Sequence, residues 1–115
     1  MSGILDGINI LDLSRILAGP YTAQMLSDLG ANITKIEAPW GDDTRGWGPP
    51  FATDFDGDRV AAYFLCCNRG KTILQMDLKE EKNRLMELIE WADVIVENFK
   101  PGTLERLIGP LPNDT

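Results

Sequence analysis

The chain has 115 residues, of which 43% are hydrophobic and 25% are charged, and these proportions are typical of one globular domain with a single core. Its net charge of −7 argues against a surface that binds the phosphate backbone of nucleic acids. Because the sequence contains no histidine, it lacks the commonest general base and metal ligand, and we expect no bound metal.

The first half of the chain predicts a strand, a helix and a second strand, followed by a long loop. In order, the expected elements are a strand over 7–14, a helix over 20–29, a strand over 33–37 and a loop over 38–57. The first strand is too apolar for clean alternation, which indicates burial on both faces. Pro20 suits the first turn of the helix. The apolar face of this helix is expected to consist of Met25, Leu26 and Leu29.

The second half continues the alternation of helices and strands. In order, we expect a short helix over 58–67, a strand over 72–78, a helix over 79–92, a strand within 93–99 and a last short helix from residue 103. Asp58 and Thr103 are expected to cap the two short helices. Alternating strands and helices predict an open parallel sheet covered by helices, and ligands of such sheets bind at the carboxyl ends of the strands.

Two short segments resemble phosphate-binding loops, but neither carries the full pattern. Gly70-Lys71-Thr72 matches the end of a P-loop. The upstream glycine position is occupied by Leu65, however, and the segment precedes a strand instead of a helix. It is either a solvated basic turn or, together with Arg69, an anion-binding turn. The turn between the first strand and the first helix lacks the G-x-G-x-x-G spacing, so it either holds a ligand edge through its N–H groups or is a tight structural turn.

Polar residues near the predicted strand ends are the other candidates for chemistry. The acidic ones are Asp12, Asp42, Asp43 and Asp77. No convincing spacing pairs these carboxylates, and we interpret most of them as solvated surface groups or turn caps. The run 98–102 follows the fourth strand, where a doubly wound sheet places its ligands. Arg106 in the next helix either reaches a phosphate or is solvated at the surface.

The two cysteines and the N-terminus bear on the cellular compartment. Cys66 and Cys67 are adjacent, so a disulfide between them would be strained and their spacing suits no metal. We therefore expect reduced, small apolar side chains in an intracellular protein, in the cytoplasm or alternatively in mitochondria or peroxisomes. The sequence shows neither a signal peptide nor an apolar run long enough to span a membrane, so no membrane partner is expected.

Several ordered motifs resemble those of a known enzyme family. They are the runs 5–20, 28–31, 35–37, 41–45, 68–71, 76–79, 92–94 and 97–102. Together they resemble the class III CoA-transferases, the family of formyl-CoA transferase, carnitine CoA-transferase, succinate–glutarate CoA-transferase and 2-methylacyl-CoA racemase. The resemblance extends to about Gly109. It implies an α/β fold with a Rossmann-like open parallel sheet and flanking helices, in which residues 1–115 form the N-terminal, CoA-binding part of a larger fold.

The resemblance also implies a site for coenzyme A. Family members contact CoA through the turn after the first strand and through the segments after the third and fourth strands. The matching residues here are Leu17, Ala18, Met76, Lys79, Asn98, Phe99, Lys100 and Arg106. The chain departs from the family pattern at Leu17, where some members carry Gln, and at Ala38, where members often carry Arg. Lys79 and Arg106 would supply positive charge for the CoA phosphates.

The resemblance implies an activity that this chain does not carry out alone. Members move CoA between an acyl-CoA and a carboxylic acid through an aspartate nucleophile that lies beyond the matched stretch, so no catalytic residue is expected here. Members form interlocked homodimers, and the segments needed for interlocking are also absent from this sequence. The expected function is therefore binding of CoA or acyl-CoA by an inactive piece. The alternatives are a non-catalytic binding or dimerisation module and a fragment of an acyl-CoA racemase of the same family.

Overall fold

A computed structural model describes residues 3–53 and 56–109 of the chain. In chain order its elements are β1 (Asn9–Asp12), α1 (Ala18–Asp28), β2 (Asn32–Glu37), a 3-10 helix (Asp43–Gly46), β3 (Phe51–Thr53), β4 (Arg59–Ala61), α2 (Ala62–Leu65), β5 (Thr72–Gln75), α3 (Lys82–Trp91), β6 (Val94–Val96) and α4 (Thr103–Ile108). The predicted alternation of strands and helices is confirmed, although most elements are shorter than expected.

A four-stranded parallel sheet organises the chain. Its strand order is β5-β2-β1-β6, and Ile10 in the central strand pairs with Ile33 on one side and Val94 on the other. Counted along the chain, these strands are arranged 3-2-1-4, which is the arrangement of a Rossmann-like sheet and confirms the predicted fold class. Because β2 and β6 lie on opposite sides of β1, the strand order reverses beside β1. Such a reversal opens a crevice at the carboxyl ends of the strands.

Helices cover both faces of the sheet and create two hydrophobic clusters. Under α1, the buried members are Ile10, Ala23, Ala31 and Ile33. On the opposite face, with α3 and α4, the buried members are Leu11, Leu13, Ile36, Met76, Leu85 and Leu104. The chain therefore forms three layers, helix–sheet–helix, and the central strand β1 is buried on both faces as its apolar sequence predicts.

The expected apolar face of α1 is partly wrong. Leu26 packs against the cluster beneath the helix, but Met25 and Leu29 are 46% and 47% exposed. The buried residues of α1 are Gly19, Pro20, Ala23 and Gln24, and a side chain added at Gly19 would collide with Ser14. Close approach of the helix to β1 therefore depends on the missing Cβ of Gly19, a feature that hydrophobic periodicity does not detect.

The region between β2 and α2 also differs from the prediction. The expected loop over 38–57 contains the 3-10 helix and β3, with residues 54 and 55 outside the described part of the chain. Asp58 caps no helix, because β4 occupies the start of the expected helix 58–67 and pairs antiparallel with β3, with Ala52 opposite Val60. The hairpin forms because β3 and β4 pair with each other across a loop. The spacing of apolar residues within one segment does not reveal such pairing.

The starts of α3 and α4 also differ from the prediction. Helix α3 begins at Lys82 and not at residue 79, because Asp77 and its neighbours first form a turn in which the Asp77 carboxylate accepts a hydrogen bond from the Lys79 N–H at 3.0 Å. Thr103 does not cap α4, since Gly102 precedes the helix with φ +86° and Thr103 is the first helical residue. Glycine adopts this left-handed conformation at little cost.

The structure also tests the role predicted for the two cysteines. Cys66 and Cys67 are both free, but only Cys67 is buried, so the expected role as a small apolar side chain is right for Cys67 and wrong for Cys66. Burial, together with the neighbouring Cys66 thiol, raises the pKa of Cys67 to about 11.

Among the described helices, none is long and apolar enough to cross a membrane.

Candidate functional site at the carboxyl edge of the sheet

A cavity of about 510 Å³ opens at the carboxyl ends of β1, β2 and β5, against α4. Its apolar walls include Leu13, Ile36, Met76, Leu78, Phe99 and Leu107. Its polar lining includes Lys35, Glu37, Asp42 and Asp77. The size and the largely apolar lining are those of a pocket for a small molecule. Its position is the one that the reversal of strand order predicts for a ligand.

A second cavity of about 450 Å³ adjoins the first and adds positive charge. It is lined by Lys79, Thr103, Arg106 and Leu107, of which all but Arg106 also line the first cavity. Lys79 and Arg106 are both exposed, and neither forms an ion pair with the described part of the chain. The Arg106 guanidinium donates a hydrogen bond to Thr103 Oγ1 at 3.0 Å. The crevice therefore combines an apolar chamber with two cations available for an anion.

The structure brings half of the sequence-predicted site residues together. Met76, Lys79 and Phe99 line the first cavity, and Arg106 lines the second. Met76 is 1% exposed and belongs to the core, so it forms a fixed wall of the cavity. Phe99 is half-buried and packs against the same core cluster. These four residues come from three separate segments, which the parallel sheet places at one edge.

The other four predicted residues lie outside both cavities. Leu17 precedes α1 and Ala18 is its first residue, and both are exposed. Lys100 is exposed, and its carbonyl accepts a hydrogen bond from the Thr103 N–H at 3.0 Å, just before α4. The Asn98 side chain forms hydrogen bonds with the backbone of the turn after β1.

The Asn98 side chain ties the turn after β1 to the segment after β6. Its Oδ1 accepts a hydrogen bond from the Arg15 N–H at 3.1 Å, and its Nδ2 donates one to the Arg15 carbonyl at 2.9 Å. Leu13 N–H also donates to the Val96 carbonyl at 2.8 Å. The two segments that flank the crevice are therefore held together by backbone and side-chain hydrogen bonds, which makes Asn98 a positioning residue for the turn.

Three ion pairs that the sequence did not predict lie beneath the crevice. Lys35 Nζ is 3.1 Å from Asp42 Oδ2, and Lys71 Nζ is 2.8 Å from Asp12 Oδ2. The Arg45 guanidinium binds Glu37 through two hydrogen bonds of 2.7 and 2.9 Å. All three carboxylate side chains are at most 1% exposed. The interpretation of the acids as solvated groups is therefore wrong for Asp12 and Asp42.

The Asp42 carboxylate connects its own loop to the turn after β1 and to strand β2. Oδ1 accepts hydrogen bonds from the Thr44 N–H and hydroxyl, which makes Asp42 the cap of the 3-10 helix, so the expected capping role is right. Oδ2 accepts the Ile16 N–H at 3.2 Å, next to Lys35. Burial by itself would raise the pKa of Asp42, but the hydrogen bonds from Thr44 and the charge of Lys35 outweigh it and hold the pKa below 3.8.

Ile16 has a backbone conformation that β-branched residues rarely adopt. Its φ is +71°, and it is the only non-glycine residue with positive φ in the described ranges. The conformation is strained, and it persists where the surroundings determine it. Here the hydrogen bond to Asp42 and the Asn98 clamp on Arg15 hold the turn that leads to Leu17 and Ala18.

The segment Gly70-Lys71-Thr72 is not a P-loop, and the expected solvation is wrong for its lysine, although Gly70 and Thr72 are exposed. The Lys71 side chain is 0% exposed and also donates to the Pro20 carbonyl at 3.1 Å and to Asn68 Oδ1 at 2.9 Å. Burial lowers the pKa of Lys71 below 10.5, and the charge of Asp12 offsets part of that effect. Arg69 pairs instead with Asp28 at 2.7 Å. The proposed anion site on these two cations is therefore wrong, since both are already paired.

One signal in the sequence could have revealed the ion pairs that Lys35 forms with Asp42 and Glu37 forms with Arg45. These two side chains alternate with apolar ones in a strand that the fold buries on both faces. Buried charges need partners of opposite sign, and the acidic and basic residues at 42 and 45 follow closely along the chain. The Lys71–Asp12 pair spans 59 positions and carries no comparable local signal.

The chemistry available at the cavity is mainly that of binding. Glu37 and Asp42 are neutralised by Arg45 and Lys35, and Asp77 accepts the Lys79 N–H. Within residues 3–53 and 56–109, no group of three or more His, Cys, Asp or Glu side chains is arranged to hold a metal ion. The groups that remain available are exposed cations and apolar walls, which suit a ligand with phosphates and an apolar or aromatic part.

Solved structures with the same fold include a protein of the CAIB/BAIF family from Brucella suis. Its TM-score is 0.88 at 48% sequence identity, over 93% of this chain and 29% of that chain. A protein from Mycobacterium tuberculosis has a TM-score of 0.81 at 38% identity, over 95% of this chain and 30% of that chain. The likeness in fold therefore extends over nearly all of this chain and under a third of each larger protein.

Similar sequences include two CoA-transferases. Succinyl-CoA:mesaconate CoA-transferase of Haloarcula hispanica is 46% identical over 106 residues, which are 90% of this chain and 26% of that protein. Succinate–glutarate CoA-transferase of Agrobacterium fabrum is 48% identical over 89% of this chain and 26% of its own length. The chain thus spans about a quarter of the length of these relatives. Residues 5–109 match the sequence profile of CoA-transferase family III, and the chain belongs to that family.

Proposed function

We propose that this chain is the CoA-binding N-terminal part of a protein that transfers CoA between an acyl-CoA and a carboxylic acid. The observation that carries the proposal is the crevice at the carboxyl edge of the sheet, where an apolar cavity adjoins two exposed cations. CoA combines an adenine base, phosphates and a long flexible arm, so it needs both kinds of surface. Membership of CoA-transferase family III supports the same ligand.

Each of the eight predicted site residues has a proposed role. Lys79 and Arg106 bind phosphate oxygens through charged hydrogen bonds, and Lys100 adds positive charge beside α4. Met76 and Phe99 provide apolar walls. Leu17 and Ala18, where the turn after β1 leads into α1, present their backbone to the ligand. Asn98, from the segment after β6, holds that turn in place through Arg15. The shape of the site is therefore largely formed before the ligand arrives.

We propose that this chain binds CoA without turning it over. Of the carboxylates at the cavity, Glu37 and Asp42 are held in ion pairs, and Asp77 accepts a hydrogen bond from the Lys79 N–H, where it stabilises a turn. CoA transfer as family members perform it would require an aspartate nucleophile beyond the residues of this chain. An interlocked homodimer would require further segments as well. Because both cysteines are free and the proposed ligand is an acyl-CoA, we propose that the protein acts inside the cell.

Titration calorimetry with CoA tests the proposal, using the variants Lys79→Ala and Arg106→Ala. Each substitution should weaken binding by roughly 1–3 kcal/mol, which is about 5- to 150-fold in Kd, because each removes one charged hydrogen bond. Lys82→Ala is the matched control, since Lys82 is exposed on α3 and lines neither cavity. Its affinity should equal that of the wild type.

Two results would count against the proposal. If the folded wild-type chain gives no heat with CoA at millimolar concentration, the chain is a module with another role, such as dimerisation. If both cation variants bind CoA as tightly as the wild type, the phosphates lie elsewhere and the crevice is not the site. Circular dichroism of every variant shows whether the fold is retained.

A further inference from the structure

The tryptophan that follows β2 stands at the edge of the first cavity. Strand β2 ends at Glu37, and the Gly41 N–H donates a hydrogen bond to the Ala38 carbonyl at 2.8 Å, which closes a four-residue turn. Pro39 occupies the second position of this turn, where its fixed φ is favourable. Trp40 is the third residue, is 75% exposed and lines the cavity.

The turn that carries Trp40 is held rigidly at its base. The Asp42 N–H donates to Glu37 Oε1 at 2.9 Å, so the two residues that flank the turn are joined directly. Glu37 is fixed by the two hydrogen bonds from Arg45, and Asp42 is fixed by Lys35. The turn therefore projects from a buried ionic network. The backbone that carries Trp40 needs little further ordering when a ligand binds.

Trp40 has no aromatic partner among the described residues, whereas another tryptophan does. Trp47 packs edge-on against Tyr63, with the ring centroids 5.4 Å apart, and lines neither cavity. An exposed indole beside an apolar cavity and an exposed lysine, Lys79, offers a flat surface next to positive charge. Stacking on an aromatic ring and nearby cations are the means by which proteins bind a base and its phosphates.

We propose that Trp40 is the stacking platform for the purine base of CoA, an inference that rests on the proposed CoA-binding function. The flexible arm of CoA has no flat ring, so a rigid indole favours the adenine end of the ligand over the arm. With the base on Trp40, the phosphates lie toward Lys79 and Arg106, which line the adjoining cavity. Trp40 then determines the preference of the crevice for a purine nucleotide.

Intrinsic fluorescence and calorimetry on the 115-residue chain test this assignment. The probes are CoA, adenosine 3′,5′-bisphosphate, which lacks the arm, and pantetheine, which lacks the nucleotide. CoA and the bisphosphate should quench tryptophan fluorescence, and pantetheine should not. Trp40→Phe should abolish the quenching and retain affinity close to the wild type, because a stacking ring remains. Trp40→Ala should weaken binding of CoA and of the bisphosphate by roughly 5- to 150-fold. Trp47→Phe is the matched control and should keep both the quenching and the affinity.

The possible results separate this inference from the function on which it rests. If Trp40→Ala binds CoA like the wild type, or if pantetheine alone quenches Trp40, the stacking assignment is wrong and the CoA site stands. If the folded wild-type chain binds no CoA in the calorimeter, the proposed function fails and this assignment fails with it. Loss of CoA affinity in Trp40→Ala, with an unchanged circular dichroism spectrum and retained affinity in Trp40→Phe, supports stacking.

Discussion

Lys35, Arg45 and Lys71 each pair with a carboxylate that is shielded from solvent beneath the crevice. A buried ion pair adds little net stability over an apolar replacement, but removal of one partner leaves an uncompensated charge and is strongly destabilising. One of the pairs also connects segments that are far apart along the chain, since Asp12 and Lys71 are 59 positions apart. We infer that these pairs fix the relative positions of the loops around the crevice.

Asp42→Asn should destabilise the chain by about 3–5 kcal/mol at pH 7, because Lys35 would remain buried without its counter-charge. The effect should depend on pH. The pKa of Asp42 is lowered below 3.8, so its ionised form contributes fully above that value, and the contribution is lost as the pH falls through the lower pKa of the folded state. Urea unfolding of wild type and variant from pH 7 to pH 2.5 measures this difference.

Asp43→Asn serves as the matched control for that experiment. Asp43 is the next residue along the chain, is exposed, and forms no ion pair with the described residues. Its substitution should leave the free energy of unfolding nearly unchanged at pH 7. A difference between wild type and Asp42→Asn that stays constant down to pH 2.5 would contradict the role assigned to the Asp42 charge.

The elements of this chain differ in how well local pattern predicts them. The parallel strands and α3 follow from their runs of apolar residues, and the predicted positions overlap the observed ones throughout. The β3–β4 hairpin was missed, because its stability depends on cross-strand pairing and Val60 fits a helical spacing equally well. The face of α1 was misjudged because its contact with the sheet uses Gly19 and Ala23, small residues that carry little weight in a hydrophobic pattern.

Helix α3 offers a test of how an element is held to the sheet. Leu85 is fully buried in the cluster with Leu11 and Leu13, whereas its neighbour Met86 is 36% exposed. Leu85→Ala should reduce the free energy of unfolding by about 2–5 kcal/mol through lost burial and a cavity. Met86→Ala, the control, should change it by about 0.5 kcal/mol. Equal losses in urea unfolding would contradict the observed orientation of α3.

At the scale of the whole molecule, the strand order determines where a ligand can bind. The sequence predicts a parallel sheet with its ligand at the carboxyl edge, and the 3-2-1-4 order produces a crevice there. The candidate cations Lys79 and Arg106 came from the family resemblance, and for Arg106 its position in the sequence alone favoured solvation equally. The Lys71–Asp12 pair emerged only from the fold, because it joins segments 59 positions apart, and only the fold places Trp40 at the edge of the cavity.

The acidic chain presents positive charge at this edge. Against a net charge of −7, the exposed cations Lys79 and Arg106 line the adjoining cavities. Such local charge can attract an anionic ligand even to a protein of opposite overall sign. We therefore expect binding of CoA by this chain to weaken as the salt concentration rises.

Nuclear magnetic resonance of the isotope-labelled 12.8 kDa chain during titration with CoA tests the central claim most directly. We predict saturable shifts of backbone amide signals at the carboxyl edge, for example those of Arg15, Asp77 and Phe99. The signals of Ile8 and Asn32, at the amino edge of the same sheet, should stay in place. Shifts confined to the amino edge, or no shifts at millimolar CoA, would contradict a CoA site in this crevice.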